Sequence, residues 1–214
     1  MAGRKSIAAL LISLLALAGA LMAQSTGPRT AHMTTPSKNI TPAQKPGLAT
    51  IFSDLGPTSS DAYNDAYGYY ILGPDNSIGD SEQYIAIPFT PKANATVEVL
   101  QVAVGYISGN NAVIVGLYSD NFGAVGTLLA SREYRNVPDF GTCCQLVTVG
   151  ITPTAVTAGT QYWIGVSTDD THAPNFTGVF ESSNSANTAY NPAQEGWFTF
   201  SNGLPAAGAY GTIQ

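Results

Sequence analysis

The chain has 214 residues, with eight Lys or Arg against fourteen Asp or Glu and a formal net charge of −6. Every acidic residue lies from Asp54 onward, and beyond residue 48 only Lys92, Arg132 and Arg135 are basic, a local net of −11. A surface that neutralises phosphates needs a basic footprint, so this balance excludes a nucleic-acid binder and suits solubility outside the cell.

Residues 1–23 read as a secretory signal peptide. Arg4 and Lys5 form a positive head, an apolar run from Ile7 to Ala23 is broken only by Ser13, and small residues close it. Cleavage after Ala23 is expected, with Ala20 as the other site. A retained anchor is the alternative, although seventeen residues fall short of the roughly 20 that span a bilayer. The membrane is thus met only through this segment. Residues 24–47 are rich in Pro, Ser and Thr and read as a flexible, partly extended linker. Residues 48–214 then make one domain, large enough for a sizeable core.

No helical period follows Pro46. Short β-rich runs punctuated by Gly, Pro, Asn, Asp and Ser recur instead, which predicts an all-β fold. The expected strands are 50–54, 83–89, 97–107, 112–118, 128–134, 145–149, 161–167, 176–181, 197–200 and 210–213. Leu100, Val102, Val104 and Tyr106 share one face of their run, with Gln101, Ala103 and Gly105 on the other. Tyr162, Ile164 and Val166 alternate with Trp163, Gly165 and Ser167 in the same way. Ser108-Gly109-Asn110-Asn111 and Asp120-Asn121-Phe122-Gly123 are hairpin connections that tolerate positive φ. About ten short strands with antiparallel signals predict a two-sheet antiparallel β-sandwich, jelly-roll-like.

Several stretches carry a family resemblance: Pro88-Phe89-Thr90-Pro91, residues 113–129 (VIVGLYSDNFGAVGTLL), residues 140–144 (FGTCC) and residues 157–166 (TAGTQYWIGV). Together the chain resembles the secreted bacterial sandwich domains called choice-of-anchor domains. That resemblance implies a β-sandwich and an extracytoplasmic location, and it implies no reaction. No apolar tail or sorting motif follows the last expected strand before Gln214, so free secretion or periplasmic residence is expected rather than surface anchoring.

Cys143 and Cys144 are neighbours, and in an extended strand they would point to opposite faces. A vicinal disulfide, two free thiols and bonds to other chains are the three open states, and an oxidising compartment favours the first. Asp120 with Asn121, and Asp169 with Asp170, are loop carboxylates and amides of the kind that hold calcium. Acidic turn residues also arise simply because Asp and Asn make turns. Tyr63, Tyr67, Tyr69 and Tyr70 lie in a Gly/Asp/Asn-rich stretch read as a loop and offer a candidate exposed contact surface. Trp163 or Trp197 could stack a sugar ring, against the commoner fate of a buried Trp. Only His32 and His172 are present, and no nucleophile elbow accompanies either.

These observations point to a secreted, non-catalytic module with a binding or structural role at the cell envelope or in the extracellular matrix, meeting glycans or envelope and matrix proteins. A carbohydrate-binding module, a self-assembling structural protein and an extracellular hydrolase are the alternatives, in that order.

Overall fold

The computed structural model describes residues 28–33, 42–43, 45–76, 82–168, 177–193 and 196–214. The signal segment, most of the linker, and Asp169, Asp170 and His172 lie outside the described residues. In chain order the strands are β1 (Thr30–His32), β2 (Ala49–Ser53), β3 (Asn64–Leu72), β4 (Ile85–Phe89), β5 (Ala95–Val102), β6 (Val104–Ser108) and β7 (Ala112–Asn121). They continue as β8 (Ala124–Arg135), β9 (Val147–Val156), β10 (Tyr162–Thr168), β11 (Thr177–Ala193), β12 (Gly196–Pro205) and β13 (Ala207–Ile213).

These strands form two sheets. The larger runs β1-β3-β11-β4-β10-β7-β8, with β6 and β12 also pairing to β11, and the smaller runs β2-β13-β5-β9. All pairings between strands are antiparallel. The fold is therefore an all-β sandwich, as its patterning predicts, though with thirteen described strands rather than about ten.

Period-two alternation builds the core between the sheets. From the larger sheet come Ile85, Ile87 and Phe89, then Val113, Val115 and Leu117, then Tyr162, Ile164 and Val166. Leu100, Val102, Val147, Val149, Ala207 and Ala209 face them from the smaller. Register lines up the layers, with Ile164 opposite both Ile87 and Leu117. Phe52 of β2 stacks on Phe89 of β4 with ring centroids 5.2 Å apart, which ties one sheet to the other. Each fully buried Ile, Leu or Val contributes about 1.5–3 kcal/mol relative to exposure.

The run 97–107, expected as one strand, is two. The chain leaves the smaller sheet at Val102 and enters the larger at Val104, turning at Ala103, whose N–H donates to the Ala206 carbonyl at 3.0 Å. Both inner faces are apolar, so Val102 and Val104 both reach the core and the sequence alternation runs unbroken through the corner. Just beyond it, a Cβ on Gly105 would lie 2.5 Å from Phe140 Cα, so glycine is what allows the 139–141 segment to approach.

Three further differences concern extent. The stretch holding Tyr67, Tyr69 and Tyr70 is strand β3, paired to β1 and β11, and β1 itself falls inside the segment expected as linker. Strand β9 runs on to Val156 through Pro153, tolerated because β9 ends its sheet and needs no donor on its outer side. β11 and β12 extend well past the expected 176–181 and 197–200.

Candidate functional site

The predicted site residues do not converge. Asp120 closes the β7–β8 hairpin: its Oδ2 accepts from Gly123 N at 2.9 Å, while Oδ1 accepts from Gln161 Nε2 at 2.7 Å and Trp163 Nε1 at 2.9 Å. Burial opposes the charged form, but these three donors outweigh it and hold the carboxyl below its usual pKa. Both oxygens are thus engaged by N–H groups, and Asp120 braces the hairpin against Gln161 and Trp163. Asn121 beside it is exposed. Among the described residues no group of three or more His, Cys, Asp or Glu could hold a metal ion.

The aromatic candidates divide by burial. Trp163 is 1% exposed, packed beneath Val125, Tyr118 and Trp197 on the outer face of the larger sheet, so it offers no stacking platform. Half-buried Trp197 meets Tyr118 edge-on, with centroids 6.3 Å apart. Tyr69 is fully buried in the core, and burial, with Tyr67 adding, raises its pKa. Tyr67 and Tyr70 are half-buried, with Tyr67 packed edge-on against Tyr69. Tyr63 is also buried, its hydroxyl 2.8 Å from the Thr142 carbonyl and 3.0 Å from that of Gln145. Tyr63 and Tyr69 therefore offer no exposed surface, Tyr69 because strand pairing in β3 turns it inward, while Tyr67 and Tyr70 remain partly accessible.

Cys143 and Cys144 are bonded to each other across a cis peptide bond. The pair is buried with Ala62, Tyr63, Ala103 and Ala206, and Cys144 Sγ accepts from Ala62 N at 3.4 Å. Together with Tyr63, the disulfide ties the 142–146 loop to the end of the 54–62 loop.

That second loop roofs a cavity among the described residues with the form of a binding site. The cavity, of about 280 Å³, lies between the loop and the outer face of the smaller sheet. Gln101 and Tyr210 line it from the sheet, with Ser53 at the end of β2. Leu55, Pro57 and Leu146 supply apolar walls, Thr58 and Ser59 supply hydroxyls, and Lys45 stands at the exposed rim. The roof is well tied: Gly56 N donates to Ala62 O at 2.7 Å, Asp61 N to Thr58 O at 3.1 Å, and Ala43 N to Ser59 O at 2.7 Å.

Polar groups inside are held in place. Gln101 is 1% exposed and its Nε2 donates to Thr148 Oγ1 at 3.0 Å. The side chains of Tyr210 and Ser53 are hydrogen-bonded to each other. Burial raises the Tyr210 pKa, the Ser53 bond works against that, and the charge of Asp54 adds to it. Asp54 follows Ser53, and its Oδ1 accepts from Ala207 N at 2.6 Å while Oδ2 is buried without a hydrogen-bond partner among the described residues. Burial lifts this carboxyl to about 7, against the lowering effect of the Ala207 N–H.

Sequence reasoning missed this site. Its signal was Gln101, the one amide in the run VEVLQVAVGY, on the face opposite Leu100, Val102 and Val104. An amide buried there needs a cover, and the 54–62 loop is that cover. Comparison of the chain with protein-family models, with curated proteins and with solved structures finds no match.

Proposed function

We propose that this chain is an exported, non-catalytic β-sandwich module that binds at the cell envelope or in the extracellular matrix, with the roofed cavity as its ligand seat. The carrying observation is that cavity: preformed, apolar-walled, and furnished with a few fixed neutral polar groups, which is the usual make-up of a small-ligand site. The signal-like segment, the resemblance to secreted sandwich domains and the acidic balance support export, and a bonded cysteine pair fits an oxidising compartment.

The test is expression with the chain's own N-terminal segment, followed by co-sedimentation of the exported protein with purified envelope material. A mature N-terminus at Gln24 and retention lost in Ser59→Trp, which fills the cavity from an exposed rim position, are expected. An uncleaved cytoplasmic product overturns export, and unaltered retention of Ser59→Trp overturns the cavity as the seat.

A further inference from the structure

Resting on the cavity as a ligand seat, we infer that its ligand is a neutral, polyhydroxylated ring the size of a single monosaccharide residue. Four features of the site converge on that class.

Size comes first. A volume of about 280 Å³ falls just below the range for drug-sized pockets, about 300 to 1,000 Å³. A single saturated ring matches that volume more closely than a nucleotide or an extended peptide does.

The second feature is the kind of hydrogen-bonding group. Ser53, Thr58, Ser59 and Tyr210 present hydroxyls, which donate and accept, and Gln101 presents an amide, which does both at fixed positions. A ligand whose every substituent is itself both donor and acceptor can satisfy such a set. A carboxylate or phosphate can accept from these hydroxyls but returns no donor to their lone pairs, so what sets it apart from a polyol is its charge.

Charge is the third. Asp54 lies next to the Ser53–Tyr210 pair and Lys45 stands at the exposed rim, so the interior holds no fixed cation to capture an anion. The domain's net of −11 adds a repulsive field for anions. A metal cation is disfavoured for a different reason, since a calcium site collects six to eight oxygens with several carboxylates among them, and none of the side chains lining this cavity is a carboxylate.

The fourth is amphipathy. Leu55, Pro57 and Leu146 give the C–H face of a sugar ring an apolar surface, while the sheet side meets its hydroxyl edge. The roof is held by the Cys143–Cys144 bond beneath Ala62 and by the Ala43–Ser59 hydrogen bond, so little ordering accompanies binding.

The experiment follows amide shifts of the exported, oxidised protein by NMR. The probes are methyl glycosides of glucose, galactose and mannose, with glucuronic acid, glucosamine and cyclohexanol as charged and apolar contrasts. At least one methyl glycoside is expected to shift the Gln101 side-chain amide and residues 53–62, with a Kd on the order of 1 mM. Gln101→Met is expected to weaken it roughly tenfold, and Ser59→Trp to abolish it, with unchanged thermal melts confirming that both variants fold. Shifts with the charged or apolar probe alone overturn the ligand class and leave the cavity as a seat. No shift with any glycoside also overturns the inference, and envelope retention of wild type against Ser59→Trp then decides the broader reading independently.

Discussion

Asp54 stands where β2 ends, with its carboxylate turned back onto the backbone N–H of Ala207 in the neighbouring strand. An unfolded Asp releases its proton near 3.8, whereas burial keeps this one to about 7. Between those values folding takes up a proton, so this residue's contribution is full below about 3.8 and is lost as pH rises through 7. The gap corresponds to at most about 4 kcal/mol. Asp54→Asn keeps an oxygen for Ala207 N–H and removes the ionisation. It is expected to raise the melting temperature at pH 8 and to flatten the stability profile between pH 4 and 7, as urea titrations across that range would read. An unchanged slope would show that the carboxyl is charged and solvated in the folded protein.

Asp120 behaves in the opposite sense. Three N–H groups prefer its charged form, so its contribution is present at neutral pH and lost as pH falls below the ordinary carboxylate range. Asp120→Ala leaves the indole N–H of a Trp that is 1% exposed without that acceptor, at a cost of about 1–3 kcal/mol. The loss should be largest at neutral pH and smaller in acid, where the wild-type carboxyl no longer gains from its charged form. If calcium raised the melting temperature of wild type but not of Asp120→Asn, the bracing account of this side chain would be wrong.

At the scale of elements, the β7–β8 hairpin turns on Phe122 and Gly123, both with positive φ, at 55° and 85°. Two left-handed residues make the turn that matches strand twist, and Asn-Gly is its preferred pair. A bulky residue there is strained, and Phe122 is fully exposed, so its ring returns no packing. Phe122→Asn is therefore expected to stabilise the protein by about 1 kcal/mol, read as a higher denaturation midpoint with an unchanged m-value. Destabilisation instead would mean that the ring packs in solution.

The same scale shows which strands the residues announce. Tyr162, Ile164 and Val166 alternate cleanly because one sheet face is core, and β10 lies where that pattern puts it. The corner at Ala103 left no mark, because a strand crossing between sheets keeps its apolar parity on both sides. Strand β3 was hidden differently: tyrosines occupy both parities of NDAYGYYIL, and its identity as a strand comes from pairing with β1 and β11. The cavity follows the same logic. Cys143-Cys144 was legible as an oddity, but its role beneath Ala62 depends on residues some eighty positions apart. Gln101 could be seen as an amide in an apolar run, while the loop that covers it is a tertiary fact.

For the molecule as a whole, an open-edged sandwich raises the question of pairing between copies. Strand β8 ends the larger sheet and, among the described residues, pairs only with β7. It is twelve residues long and exposes Leu128 and Leu129, which is the profile of an edge open to strand addition. Arg132 opposes this. It lies between Ala130 and Tyr134 on the side that faces the core, paired with the core residue Val115, yet it is exposed at the open side where β8 and β9 come together. A second strand docked on β8 would bury that guanidinium beside apolar neighbours, at a cost no ladder of a few hydrogen bonds offsets. Repulsion between copies at a net of −11 acts in the same direction until salt screens it. Arg132→Val removes the inward charge and improves strand propensity together. Sedimentation velocity of this variant in high salt should show concentration-dependent dimers, with wild type monomeric under the same conditions. A variant that stays monomeric would mean that β8 is guarded by something other than its one inward charge.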